Sequence, residues 1–184
     1  MFPDPGNRTP APGALRTVQR FVNSADRENE REELESASAL QRLLEEVGVL
    51  GGGAAALTDA DLRRALEVRE ALRELLLANN GGRVGVEALQ TLESASRAAQ
   101  LALRLSPGEG RLVPEAPGID GALGRILAVV HGAMVDGSWS RLKACPREVC
   151  FWVFYDRSKN LSSRWCAMSV CGNRTKKARA RATA

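Results

Sequence analysis

Four cysteines constrain this chain more than any other feature. Cys145, Cys150, Cys166 and Cys171 are the only ones it has, and they form two pairs of equal internal spacing with fifteen residues between the pairs. Short cysteine pairs separated by about 15–20 residues mark a zinc site; the usual pair encloses two residues, whereas these enclose four. Zinc takes deprotonated ligands in a tetrahedron. Four thiolates would close the site, leave no position for water and make the metal structural rather than catalytic. Disulfides are the alternative, but they belong to oxidising compartments. The first thirty residues lack an uninterrupted apolar stretch, so no secretory leader is expected. One structural zinc ion is therefore the expected cofactor.

The surrounding residues suggest how the site is built. Residues 151–156, rich in aromatic and β-branched side chains, predict a strand. Lys159 and Asn160 fall at a turn, and residues 163–165 are expected to return as the second strand of a ribbon. Two cysteines would then leave the ribbon and two would sit at the start of a helix. That helix is expected over residues 172–181, with Arg174, Lys177, Ala178 and Arg181 on one face and Lys176 and Arg179 widening the basic surface. A segment of about forty residues has too little core to fix this arrangement without metal.

Charge is unevenly distributed. From Arg141 onward there are eleven Lys/Arg against Glu148 and Asp156, a formal +9, while the preceding 140 residues carry −5. Four thiolates with one Zn²⁺ would leave the C-terminal segment near +7. A compact basic region attracts a polyanion, most commonly nucleic acid, although charge alone fits a solvated tail equally well. Arg is suited to guanine and Asn to adenine, so Arg174 or Asn173 could read a base edge. The two could equally bond the ribbon and the metal-binding turn. Lys176 and Lys177 suit phosphates, and Arg157, Lys159, Asn160 and Arg164 could add backbone contacts.

The rest of the chain reads as mainly α. Residues 1–12 hold four prolines and are expected to be a mobile arm. Helices are predicted over 13–24, from Ser36 or Ser38 to Gly48, from Thr58 to Ala78, over 86–99 and over 119–135, each from apolar residues at helical spacing. Residues 26–35 are a charge run, read as a solvated loop. In the third helix Arg69 interrupts the apolar stripe, so it either snorkels to the surface or holds an anion. Alternation on either side of Ser106-Pro-Gly-Glu-Gly110 predicts a β-hairpin. No run of eighteen apolar residues exists, so no membrane span is expected. His131, the only histidine, lies beside the last stripe, where a partly buried core histidine is the ordinary reading. No nucleophile partners it, and no phosphate loop or carboxylate pair stands out, so enzymatic activity is not expected.

Phe154-Tyr-Asp-Arg-Ser-Lys-Asn160, Arg164-Trp-Cys166 and Cys171-Gly-Asn-Arg174 resemble the CGNR zinc finger, a family of bacterial proteins. The resemblance runs from Leu142 to about Arg181. It departs at Leu161 and Ser163, where the family often has a basic residue or glycine, which removes two candidate phosphate contacts. The finger typically follows an ABATE domain, assigned to stress-induced transcription regulators. Phe21-Val-Asn23 and the Arg69-Glu-Ala-Leu-Arg73 run are similar to that domain. After the proline-rich arm over 1–12, the resemblance implies an ABATE-like helical domain over 13–140 and a treble-clef-like ββα finger over 141–184. It implies a cytoplasmic DNA-binding regulator, with a small-ligand pocket near Asn23, Arg69 and Arg73 as a further hypothesis; for Asn23, backbone capping is the simpler role. An RNA- or protein-binding adaptor, with zinc as a rigid clip, is the alternative.

Overall fold

Side-chain caps set the helix starts. Thr58 Oγ1 accepts from the Asp61 amide at 3.3 Å, and Asp61 Oδ2 accepts from the Thr58 amide at 2.9 Å. This capping box satisfies two donors that the first turn leaves open, and helix α3 (Asp59–Ala78) follows. Ser36 caps α2 (Ala37–Glu46) by accepting from the Ala39 amide at 3.2 Å, and Gly48, with φ of 74°, follows its end. The other helices are α1 (Leu15–Val22), α4 (Val86–Ala98), α5 (Gly118–Val135) and α6 (Asn173–Ala182). The structure, a computed structural model, describes residues 2–182, the side chains of Arg179 and Ala182 excepted.

The core is a helical layer. From α3, Ala65, Val68, Leu72 and Leu76 are buried; Leu62 and Leu66, expected on the same stripe, are half-buried at its edge. From α5, Ile119, Leu123, Ile126, Leu127 and Val130 face inward. By length and composition α5 is apolar enough to cross a membrane, and this buried face accounts for the composition. Its last turn passes the edge of the core, which leaves Met134 and His131 exposed, contrary to the sequence expectation for both. The hairpin β3 (Leu101–Ser106) and β4 (Glu109–Pro114) forms as expected and lies against α5. A Cβ at Gly124 would meet Ala99 Cβ at 2.6 Å and Pro114 Cβ at 2.8 Å, so this close approach needs the glycine.

Residues 26–35 are not a solvated loop. Strands β1 (Ala25–Asp26) and β2 (Arg31–Glu32) pair antiparallel around a short 3₁₀ turn, Arg27–Asn29. Asp26 is buried because its carboxylate is engaged: Asn29 Nδ2 donates at 2.7 Å and Arg31 at 2.9 Å. The acids that follow meet arginines of the core. Arg20 lies between Glu33 and Glu46, and Arg69 pairs with Glu32.

The ribbon of the C-terminal segment differs from the expected one. Strand β6 (Val153–Tyr155) pairs with β5 (Leu142–Ala144), which precedes the first cysteine, in the register Leu142↔Tyr155 and Ala144↔Val153. Residues 163–165 form no strand. Side chains satisfy the backbone there: Lys143 Nζ donates to the Leu161 and Ser163 carbonyls at 2.6 and 3.3 Å, and Asp156 Oδ2 accepts from the Ser163 amide at 3.0 Å. With its polar groups engaged this way, the stretch gains nothing from a ladder.

The ribbon is also a wall of the helical core, since Leu142, Ala144 and Val153 are buried in the same apolar cluster as α1, α3 and α5. Amides stitch the two together. Asn23 accepts from the Val153 amide and donates to its carbonyl, both at 2.8 Å. Asn80 Nδ2 donates to the Ala144 and Arg164 carbonyls at 2.8 and 2.7 Å.

Residues 2–12, where the prolines suggest a mobile arm, lie along the finger. Arg8 donates to the Trp165 carbonyl at 3.0 Å and stacks over Phe154, 4.8 Å from the ring centre. Phe2 packs against the cysteine cluster, and Ala11 is buried, its amide donating to Gln19 Oε1 at 2.7 Å. Apolar and aromatic anchors at both ends of the arm offset the entropy that composition alone would leave free.

Candidate metal centre

The first cysteine pair is set by a tight turn in the β5–β6 ribbon. The Cys150 and Phe151 amides both donate to the Arg147 carbonyl, at 2.8 and 3.3 Å, and Phe151 takes a positive φ of 49°. The Cys145 amide donates to the Trp152 carbonyl at 2.9 Å and closes the loop. In the second pair Cys166 precedes a single wide helical turn, Met168–Gly172, and Cys171 lies within that turn, which leads directly into α6. A Cβ at Gly172 would meet Met168 Sδ at 2.3 Å and the Trp165 ring at 3.2 Å, so Met168 would have to move to admit one. Two cysteines thus come from the ribbon and two from the helix start, as the spacing predicts.

All four thiols are buried, and their sulfurs lie within 4.8 Å of one another. Cys150 and Cys166 Sγ are 3.7 Å apart, Cys166 and Cys171 Sγ 3.5 Å. A tetrahedral shell with metal–sulfur bonds of about 2.3 Å places sulfurs about 3.8 Å apart. A disulfide needs about 2.0 Å, and the four cysteines are free. The donor set therefore fits zinc. Hydrogen bonds from Cys150 and Cys166 hold Cys145 well below the usual thiol range, while the resulting thiolate pushes Cys150 and Cys166 up. Among Cys145, Cys150 and Cys166, one thiolate forms readily and makes the other two resist ionisation. A divalent cation removes that resistance, because it supplies the charge that lets every thiol deprotonate.

The ribbon carries a second anchor. Lys143 Nζ donates to Asp156 Oδ2 at 2.8 Å, and both side chains are buried. Burial opposes ionisation of Asp156, but hydrogen bonds from Lys143 and Ser158 outweigh it and hold the carboxyl below its ordinary range. This pair shapes the 157–163 loop that displays Arg157, Lys159 and Asn160.

The candidate nucleic-acid residues are mostly on the outside. Lys159, Asn160, Arg164, Lys176, Lys177 and Arg181 are exposed. Beyond Thr175 the described side chains of α6 face solvent, and the expected role of Arg179 lies outside the described residues. Arg157 is exposed but donates to the Pro10 carbonyl at 2.9 Å and stacks on Tyr155. Asn173 donates to the Ser169 carbonyl in the metal-binding turn at 3.4 Å, a structural contact. Among the described residues no hydrogen bond joins Arg174 to the ribbon. Arg174 pairs with Glu28, whose Oε1 also accepts from Arg147 at 2.6 Å. Trp152 is buried and so offers no face for base stacking; its indole N–H donates to Asp4 at 3.3 Å.

Asn23, Arg69 and Arg73 are each engaged within the fold. Asn23 holds Val153, which is a backbone role. Arg69 is only 5% exposed and donates twice to Glu32, at 2.7 and 2.8 Å, as well as to Ser24 and Glu70. Arg73 donates to Glu70, the Val22 carbonyl and the finger's Phe151 carbonyl. Burial lowers the Arg73 pKa against the pull of Glu70. With these donors engaged, neither arginine is poised for an anion. The residues that sequence reasoning missed are Glu28, Lys143, Asp156 and Asn80. Their signal was the acid-rich 26–35 stretch opposite a basic finger, and an Asn pair that reads locally as a helix stop.

The model for the CGNR zinc finger matches residues 141–184, and the model for ABATE, described as a putative stress-induced transcription regulator, matches residues 15–137. No curated protein matches the chain. A four-cysteine site of zinc dimensions, set between a ribbon and a helix and fused to a helical domain, is what that pair of matches requires. The chain belongs to the ABATE family and carries at its C-terminal end a CGNR zinc finger, with Cys145, Cys150, Cys166 and Cys171 as the zinc ligands.

Proposed function

We propose that this chain is a cytoplasmic bacterial DNA-binding regulator rather than an enzyme, and that its zinc is structural. The observation that carries the reading is α6. Arg174, Lys176, Lys177 and Arg181 are exposed on a helix whose first turn is fixed by the metal cluster, so the charge projects in one direction. Such a helix suits phosphate contacts along duplex DNA. Arg147 and Arg164 line a shallow depression beside Thr175, at the base of the same helix. They could extend the contact toward the ribbon, where Lys159 and Asn160 lie in an exposed loop.

The test is fluorescence anisotropy of the zinc-loaded full chain on duplex DNA over a series of salt concentrations. If about five phosphates are neutralised, log K falls against log salt with a slope of about −4.5. Absence of binding at low salt, or a slope near zero, overturns the reading. Single-stranded RNA run beside the duplex separates the adaptor alternative. Burial of Trp152 removes the best stacking platform, which favours the duplex.

A further inference from the structure

A cavity of about 680 Å³ opens between the N-terminal arm, α1, the end of α2 and Trp152. That volume falls within the range of small-molecule sites. Its wall carries charges of both signs, but most of them act within the fold. Glu46, the acid that α2 contributes, accepts from Arg20 through both of its oxygens, at 3.1 and 3.0 Å, and Arg20 donates to Glu33 as well. Asp4 presents no free oxygen. Its Oδ2 accepts from the Trp152 indole at 3.3 Å, its Oδ1 is shut off from solvent, and the Arg8 backbone N–H and charge act on the same carboxyl. Gln19 and Asn23 bond the Val153 backbone.

Two neighbours on α1 are different. Arg16 and Thr17 both reach the wall. Among the described residues neither the Arg16 guanidinium nor the Thr17 hydroxyl has a partner. The first turn of α1, to which both belong, holds no acidic residue that could compete for them. Both groups can donate, and one is a permanent cation. A guanidinium fork matches a carboxylate, with two parallel N–H···O bonds. Beyond this pair the wall is apolar, made by Phe2, Pro3, Val47 and Trp152. Arg16 is exposed, so water screens its charge. An apolar body seated against that wall displaces part of this water and strengthens an ion pair at the rim.

We propose that this cavity binds a small carboxylate with an apolar body, the carboxylate accepting from the Arg16 guanidinium and the Thr17 hydroxyl and the hydrocarbon lying among Phe2, Val47 and Trp152. The arm that walls the site also holds the finger, through Arg8 on the Trp165 carbonyl and through the Pro10 carbonyl on Arg157. Occupancy therefore bears on the arm that holds Arg157, one of the exposed basic side chains of the finger.

The test is isothermal titration of the zinc-loaded full chain with phenylacetate and 3-phenylpropionate. Phenylacetamide and 2-phenylethylamine serve as neutral and cationic counterparts, and acetate as the anion without an apolar body. The aromatic carboxylates are expected to bind about tenfold more tightly than the amide, with the amine weakest. Acetate should bind at least about tenfold more weakly than phenylacetate, because it buries no ring. Arg16→Gln, at an exposed position, should abolish the preference for carboxylate over amide while zinc content stays unchanged. Arg42→Gln, at an exposed arginine of α2 that does not line the cavity, should leave that preference intact. Acetate binding as tightly as phenylacetate, a preference that survives Arg16→Gln or is lost in Arg42→Gln, or no binding of either aromatic carboxylate to the unmodified chain overturns the proposal. No nucleic acid enters this experiment, so its outcome and that of the duplex titration are independent.

Discussion

Two side-chain contacts carry consequences out of proportion to their size. Lys143 and Asp156 are both buried, so removing one partner leaves the other charge uncompensated. Asp156→Asn is expected to destabilise the zinc-loaded chain by about 3–5 kcal/mol, read from the urea midpoint at constant m-value. The pH dependence has a definite sign. The folded pKa of Asp156 lies below its unfolded value. Its contribution is therefore complete above the unfolded pKa of about 3.9 and is lost as pH falls through the folded one. The gap between the unmodified chain and Asp156→Asn should narrow progressively below about pH 4. Glu28 is the second such contact. It holds Arg174 and Arg147 at the base of the basic helix. On the DNA-binding reading, Glu28→Gln removes a competing anion and strengthens duplex binding by about threefold to tenfold in the anisotropy assay. Weaker binding would mean that Glu28 positions Arg174 rather than screening it.

At the scale of the element, the finger depends on its metal. Its own apolar cluster consists of the four cysteines with Trp152 and Phe154, backed by Phe2, Trp165 and Val170. Helix α6 has ten residues, few of them buried, and an isolated helix of that length is marginal in water. Chelation of zinc should therefore melt α6 and the Met168–Gly172 turn while α1 to α5 persist. The measurement is circular dichroism at 222 nm against released zinc. A partial loss of helix signal is expected, stoichiometric with the metal and reversible on its return. The ribbon should resist longer than the helix, because Leu142, Ala144 and Val153 belong to the helical core rather than to the cysteine cluster.

At the scale of the whole molecule, finger and helical domain share a core and a set of buried amide contacts. Asn80 occupies the junction, with both of its bonds reaching carbonyls of the finger segment. Asn80→Ala would leave the Ala144 and Arg164 carbonyls without that donor, at about 1–3 kcal/mol for a buried group. Thermal unfolding of the zinc-loaded chain should be a single transition, and Asn80→Ala should lower its midpoint and broaden or split it. A variant that melts like the unmodified chain would show that the apolar contacts alone couple the two parts. The charge division between an acidic helical part and a basic finger acquires a physical role at this scale. Acids at Glu28, Glu32, Glu33 and Glu70 face arginines distant in sequence, including Arg27 for Glu70 and the finger's Arg147 and Arg174 for Glu28.

The cysteine spacing by itself determined the metal site, because a tetrahedral shell demands a ligand set that short-range geometry can supply. Helix starts at Ser36 and Thr58, the stop at Gly48 and the β3–β4 hairpin were legible for the same reason, since caps and turns are settled by neighbours a few residues away. What the tertiary structure decided lies at long separation. Glu28 meets Arg174 across 146 residues, Asn80 meets Arg164 across 84, and Asn23 meets Val153 across 130. No local pattern selects such partners. The ribbon illustrates the limit: residues 163–165 read as a strand, but Lys143 and Asp156 take the backbone groups of Ser163, Asn80 and Arg8 take the Arg164 and Trp165 carbonyls, and β6 pairs instead with the segment before Cys145. The arm illustrates it again, for four prolines fix only its stiffness. Its resting place against the finger comes from Phe2, Arg8 and Ala11 finding aromatic and apolar surface that exists only once the chain has folded.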